Sequence, residues 1–112
     1  MNRYVFFLDL KQDDDLIQEY ERYHDHVWPE IEQQILDTGV THCEIYRVSN
    51  RLVLMVESDQ KMDWEKKAMM DEQHDKTQEW ELLMWNYQQA IPGFEEKGKW
   101  QLAKKIYTLK ND

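Results

Sequence analysis

The sequence contains few of the residues that mark several protein classes. Its 112 residues include one cysteine, three glycines and two prolines. The single thiol, Cys43, excludes an internal disulfide and any zinc site built on several thiolates. Few glycines and prolines favour short connections over flexible linkers. Because the length fits one hydrophobic core, we expect residues 1–112 to form a single domain.

Positive charge and long apolar stretches are also scarce. There are 14 lysines and arginines against 23 aspartates and glutamates, which gives a formal net charge of −9. Without a basic cluster the surface offers no electrostatic footprint for nucleic acid or anionic lipid. No apolar run approaches the ~20 residues of a membrane span, and the N-terminus does not resemble a signal sequence. We therefore expect a soluble cytoplasmic protein that binds neither nucleic acid nor membrane.

Aromatic residues, by contrast, are abundant. Five tryptophans, six tyrosines and three phenylalanines supply material for a core despite a mean hydropathy of −0.92. Such a composition is not typical of an intrinsically disordered chain.

The N-terminal half shows a strand, an interrupted helix and a hairpin. Residues 3–10 are rich in aromatic and β-branched side chains, which predicts a strand. A row of aspartates at 13–15 can then cap a helix, and apolar residues recur at helical spacing from 16 to 35. Pro29 should divide that helix, and Gly39 should end it. Residues 42–48 and 52–57 predict a β-hairpin.

The C-terminal half predicts two more helices and a last strand. We expect a short helix at 59–71, a longer one at 77–89 and a strand at 99–109. The order β-α-β-β-α-β is that of the ferredoxin-like α+β fold, four antiparallel strands with helices on one face. The uncovered face of such a sheet needs a partner, and a homodimer is the simplest one.

His24 is the strongest candidate for chemistry. On a continuous helix Tyr20, His24 and Trp28 form one stripe, since they are four residues apart. His24 therefore borders the core-facing row, just before the break at Pro29, where an imidazole could give and take a proton. The alternative is a core histidine satisfied by a backbone carbonyl.

The other histidines are weaker candidates. His26 lies only two residues beyond His24, whereas helical metal ligands are typically four residues apart. We expect His26, His42 and His74 to be solvated, and we predict no metal site.

A second group of candidates lies in the segment 80–87. Trp80 and Trp85 are five residues apart and cannot share one helical face, so one can belong to the core while the other lines a pocket. Indole rings beside carboxylates suit a sugar, although such rings more often build core and interface. Cys43, on a predicted strand, is most simply a small core residue.

Several of these residues together resemble the L-rhamnose mutarotase family. The resemblance spans nearly the whole chain and rests on residues at matching spacing: Tyr20, His24, Trp28-Pro29-Glu30, Gly39, Glu44-Ile45-Tyr46, Gln78 and Trp80. It implies a dimeric α+β barrel built from ferredoxin-like subunits. The implied activity is interconversion of the α and β anomers of a 6-deoxy-hexose, without a cofactor.

The resemblance also implies site residues. His24 matches the family's proton donor, and Cys43, Trp80 and Glu81 match its sugar pocket. The rhamnose enzymes have a tyrosine where this chain has Cys43 and a second tryptophan where it has Glu81. Because these differences fall where sugar hydroxyls are recognised, L-fucose joins L-rhamnose as a candidate substrate.

We add further candidates for the pocket from residue type alone. Tyr20, Trp28 and Tyr46 could form its wall, and Glu57, like Glu81, could accept hydrogen bonds from hydroxyls. Two alternatives remain at this stage. One is a cofactor-free monooxygenase or haem-degrading enzyme of the same fold, and the other is a non-catalytic ligand-binding dimer.

Overall fold

A computed structural model describes residues 1–110 of the chain. Four helices and five strands follow one another along these residues. In chain order they are β1 (Asn2–Leu10), α1 (Asp14–Asp25), α2 (Pro29–Asp37), β2 (Val40–Val48), β3 (Arg51–Ser58), α3 (Trp64–Glu72), α4 (Asp75–Trp85), β4 (Gln88–Gln89) and β5 (Gln101–Leu102). None of the helices in this part of the chain is long and apolar enough to cross a membrane.

The strands form one antiparallel sheet in the order β2-β3-β1-β4. The short strand β5 also pairs with β1, so β4 and β5 occupy different parts of the same edge. The predicted hairpin is confirmed, because β2 and β3 pair along their whole length with one irregularity between Val40 and His42. The arrangement is the expected ferredoxin-like α+β fold.

The prediction for the last strand is wrong in extent. Of residues 99–109, only Gln101 and Leu102 form a strand, and one more backbone hydrogen bond joins Ala103 N to Val5 O at 2.7 Å. Ile106 and Tyr107 are largely exposed. A segment with alternating apolar residues becomes a strand only where its backbone can hydrogen-bond to a neighbouring strand. Within the described chain, residues 104–110 have no such neighbour.

The N-terminal helices begin and end as the sequence predicts. The Asp13 carboxylate accepts a hydrogen bond from Leu16 N at 3.1 Å and caps α1. Pro29 is the first residue of α2, and Trp28 before it has an extended ψ of 131°. Gly39 follows α2 with φ at +104°, a conformation that favours glycine.

The C-terminal helices differ from the prediction. The helix predicted at 59–71 begins later, at Trp64, because Asp63 caps it by accepting from Lys66 N at 3.0 Å. The helix predicted at 77–89 is α4, which is capped by His74 and ends at Trp85. Gln88 and Gln89 leave the helical pattern because they pair with β1.

The core lies between the helices and one face of the sheet. Its largest cluster contains Leu10 and Leu52 from the sheet, together with residues of α1, α2 and α4 and Tyr87, which follows α4. Since side chains alternate along β1, Val5 and Phe7 belong to the opposite face, together with their cross-strand neighbours Met55 and Val53. These four side chains are only partly buried.

Candidate active site

His24 lies in the last turn of α1 and is half-buried. Its Nδ1 lies 2.9 Å from the backbone oxygen of Tyr20, one turn earlier. A carbonyl oxygen can only accept, so Nδ1 carries the hydrogen of this bond and Nε2 is left for other chemistry. None of the side-chain hydrogen bonds found within residues 1–110 uses Nε2. The backbone carbonyl expected for a core histidine is therefore present at Nδ1, and the role of His24 in proton transfer stays a prediction.

Two aromatic rings, one from α1 and one from α4, contact this imidazole, and a third packs behind them. The ring centroid of Tyr20 lies 4.5 Å from that of His24, and the centroid of Trp80 lies 5.7 Å away at an interplanar angle of 70°. Trp28, at the start of α2, packs edge-on against Trp80 at 5.1 Å. The structure thus brings together four of the predicted site residues, His24, Tyr20, Trp28 and Trp80.

The Tyr20 hydroxyl is a buried hydrogen-bonding group beside the imidazole. It accepts a hydrogen bond from Gln88 Nε2 at 3.2 Å. Burial raises the pKa of Tyr20 to about 12. The hydrogen bond from Gln88 opposes this rise in part, and the nearby charge of Glu81 adds a smaller increase. The phenol therefore keeps its proton near neutral pH and can act as a donor.

Glu81 follows Trp80 on α4 and is held by a lysine. Lys99 Nζ lies 2.8 Å from Glu81 Oε2 and 3.0 Å from the Glu81 backbone oxygen, and it also lies 5.1 Å from the centroid of Trp85. An open groove of about 370 Å³ runs along these side chains, lined by Gln78, Glu81, Leu82, Trp85 and Lys99. Trp80 is thus the core tryptophan and Trp85 the one that lines a surface groove. His24 does not line this groove.

Two predicted site residues lie elsewhere. Tyr46 pairs with Val53 and Glu57 pairs with Arg3, so both belong to the sheet face opposite the helices. Tyr46 donates a hydrogen bond to Glu44 at 2.6 Å, and Glu57 forms an ion pair with Arg3 at 2.8 Å. Within one chain neither can line a cavity with His24, because the sheet separates them, and the prediction is corrected on this point.

Cys43 lies on the helix-facing side of β2, since it pairs with the buried Val56. It is half-buried, and burial raises the pKa of its thiol, an effect that the charge of Lys67 partly offsets. The thiol is therefore protonated near neutral pH, as expected for a small packing residue. The charges that act on this thiol include those of Glu32 on α2 and Lys67 on α3, while the rings that contact His24 come from α1 and α4.

Sequence reasoning missed two polar residues. His74, expected to be solvated, is half-buried and caps α4 by accepting from Thr77 N at 3.2 Å. Histidine is not among the residues that commonly cap helix N-termini, so its position directly before Asp75 gave no clear capping signal. The sequence predicts Gln88 at the end of a helix. Only the pairing of Gln88 with β1 brings its side chain next to Tyr20. His26 and His42 are exposed, as predicted.

Comparison with solved structures identifies the fold of this chain. An L-rhamnose mutarotase from Formosa agariphila superposes with a TM-score of 0.71 and 19% identity, covering 98% of this chain and all of the other. A tetracenomycin F2 cyclase from Streptomyces glaucescens superposes with a TM-score of 0.64 and 19% identity over the full length of both. At such identities the likeness shows the fold alone. The fold defines the class as a ferredoxin-like α+β domain, and the candidate site places a half-buried histidine against aromatic rings.

Sequence comparison shows the family. The profile of the family described as L-rhamnose mutarotase matches residues 3–109. An L-fucose mutarotase from Xanthomonas campestris is 38% identical over 111 residues, covering 97% of this chain and 89% of the other. A Dictyostelium discoideum protein is 33% identical over 103 residues, covering 87% and 80%. The chain belongs to the L-rhamnose mutarotase family, and its class of reaction is isomerisation of a sugar.

Proposed function

We propose that this protein interconverts the α and β anomers of L-fucose, with L-rhamnose as the second candidate substrate. The observation that carries the choice is the 38% identity, over nearly the whole chain, with a protein named L-fucose mutarotase. The two positions at which this chain departs from the rhamnose enzymes, Cys43 and Glu81, support the same choice. The candidate site offers a histidine for proton transfer and aromatic rings for contact with the sugar.

The proposed chemistry uses His24 Nε2. As an imidazolium, His24 donates the Nε2 proton to the ring oxygen of the sugar while the proton on the C1 hydroxyl leaves to a base. The bond between C1 and the ring oxygen breaks, and rotation about the C1–C2 bond exposes the other face of the aldehyde. Ring closure reverses both proton transfers and returns the imidazole to its starting state. Positioned acid/base groups of this kind contribute roughly 10²–10⁴-fold each.

Other residues of the site bind the sugar in this proposal. The indoles of Trp28 and Trp80 offer flat apolar surface to the sugar ring. The Tyr20 hydroxyl keeps its proton and donates to a sugar oxygen. Glu81 has one carboxylate oxygen on Lys99, and its other oxygen accepts from a sugar hydroxyl. Activity without a cofactor and a cytoplasmic location stay predictions.

We also propose that the protein is a homodimer. The sheet face that carries Val5, Phe7, Val53 and Met55 would pack against its copy in a second chain. These side chains are apolar and only partly buried. Large contiguous apolar patches, such as one face of a sheet, rarely stay exposed on monomers. Tyr46, which is exposed on the same face, would then be covered by the partner.

One-dimensional NMR of equilibrated sugars tests the proposed activity. Saturation of one anomeric signal is transferred to the other only when the anomers exchange during the experiment. We expect the protein to increase this transfer for L-fucose most, for L-rhamnose less and for D-glucose least. Binding of L-fucose without faster exchange would favour a non-catalytic sugar-binding protein, and absence of both would overturn the proposal.

A further inference from the structure

The side-chain amide of Gln88 has an unused polar atom in the interior. Gln88 is 4% exposed, and its Nε2 donates to the Tyr20 hydroxyl at 3.2 Å. Its Oε1 is fully buried and has no hydrogen-bond partner within residues 1–110. Folded proteins pair nearly all such atoms, because an unpaired buried polar group forfeits its hydration without compensation. Within the described residues, the Oε1 end of this amide therefore remains to be paired.

The amide is linked to the candidate catalytic group through Tyr20. Gln88 pairs with Leu10, whose side chain belongs to the core, so the Gln88 side chain faces the helices. There it meets Tyr20, whose ring lies 4.5 Å from the imidazole of His24. A single side chain thus connects the unpaired amide to the proton-transferring histidine. The charge of Glu81, which also acts on Tyr20, lies in the same region.

We infer that Gln88 is a specificity-determining residue whose free amide end binds a hydroxyl of the sugar. This inference rests on the proposed function. A hydroxyl both donates and accepts, so it can satisfy the amide whichever end faces Tyr20. The hydrogen bond to Tyr20 fixes the amide before the sugar arrives. A site of this kind rejects an analogue that lacks the hydroxyl, since the buried amide would again be unpaired.

Gln88→Met tests the inference, because methionine has a similar shape and no hydrogen-bonding amide. We expect KM for L-fucose to rise about three- to tenfold, the effect of one neutral hydrogen bond. The thermal midpoint of the sugar-free protein should change little, because removal of the unpaired Oε1 offsets loss of the hydrogen bond from Nε2 to the Tyr20 hydroxyl. A purely structural role predicts the reverse, with KM unchanged and a lower midpoint. Gln89→Met is the matched control, since Gln89 points to the other face of the same strand.

Monodeoxy analogues of L-fucose identify the hydroxyl. The wild type should discriminate strongly against one analogue, and Gln88→Met should not distinguish that analogue from L-fucose. If the KM of each analogue relative to L-fucose is the same for the wild type and for Gln88→Met, the inference is overturned. A buried water is then the partner of the amide.

A measurement on the wild type covers the case in which Gln88→Met does not fold. Addition of L-fucose should shift the side-chain amide NMR signals of Gln88 and leave those of Gln89 in place. Bound sugar without a shift at Gln88 overturns the inference but leaves the proposed function standing. If neither L-fucose nor L-rhamnose binds, both are overturned.

Discussion

The imidazole of His24 meets the ring of Trp80 edge-on, with their centroids 5.7 Å apart. The two residues come from α1 and α4, and Trp80 is 7% exposed, so the contact is fixed by the core rather than by a surface loop. Together with the hydrogen bond from Nδ1 to the Tyr20 carbonyl, it leaves the imidazole little rotational freedom. The Nε2 atom is thereby held in one position, as the proposed proton transfer to a bound sugar would require.

His24→Ala should abolish most of the anomer exchange. The variant keeps the sugar-binding rings but lacks the acid, so we expect exchange of L-fucose to fall by about 10²–10⁴-fold. Saturation-transfer NMR measures the exchange, and a line-broadening titration confirms that sugar still binds. His26→Ala, at an exposed histidine two residues away, should keep full exchange. Undiminished exchange in His24→Ala would remove the assignment.

Glu81→Gln should weaken sugar binding more than turnover. The substitution keeps the size of the side chain but replaces a charged acceptor, so KM for L-fucose should rise about tenfold with kcat little changed. Initial exchange rates over a range of sugar concentrations separate the two constants. Glu79→Gln serves as the control, because it removes an exposed charge on the same helix, one that forms an ion pair with Lys76. Equal KM values for both variants would contradict the role of Glu81.

Trp80 and Trp85 should differ in their contribution to stability. Trp80→Ala empties a position packed against three rings and should lower the free energy of unfolding by about 3–5 kcal/mol. Trp85 is 42% exposed and contacts a lysine, so Trp85→Ala should cost about 1 kcal/mol. Urea unfolding followed by circular dichroism measures both. If the two variants lose similar amounts of unfolding free energy, the two indole rings are equally buried and the prediction is contradicted.

Tyr20 should make the protein less stable at alkaline pH. Its pKa is about 12 in the folded state against 10.0 for an unperturbed tyrosine, so between these values the folded state binds more protons than the unfolded one. Stability conferred by the neutral phenol is complete below pH 10 and is lost as pH rises, by up to about 1.4 kcal/mol per unit. Tyr20→Phe should flatten the decline in urea midpoints between pH 10 and 12, whereas the exposed Tyr107→Phe should not.

Val53→Lys should separate the proposed dimer. A charge in the middle of the apolar sheet face would be buried without a partner on association, which is costly. Light scattering after size-exclusion chromatography should give half the mass of the wild type. Leu36→Lys, at an exposed position of α2, should leave the mass unchanged. A wild type of 13.8 kDa in solution would itself overturn the proposed dimer.

Local signals predicted much of the fold because they act through the backbone. The Asp13 cap, the break at Pro29 and the positive φ at Gly39 follow from what each residue permits its own backbone to do. The end of α4 did not follow in this way. Residues 86–89 continue a helical pattern, and only the hydrogen bonds offered by β1 draw Gln88 into the sheet.

The sequence also predicted which residues would meet wherever one helix carries them. Tyr20 and His24 share a face because they are one turn apart, and their rings are in contact. Tyr46 and Glu57 are site candidates by chemical type alone, and chemical type does not predict the sheet face on which a residue lies. Strand alternation places both away from His24.

The sequence by itself determined the ferredoxin-like order of elements, the helix boundaries near Pro29 and the family, because periodicity, capping and motif spacing are properties of neighbouring residues. Only the tertiary structure decided that Trp80 rather than Trp85 packs on His24, that Lys99 holds Glu81, and that Gln88 carries an unpaired buried amide. These relationships join residues distant in the chain, and they depend on how helices and strands pack, which a linear pattern does not encode.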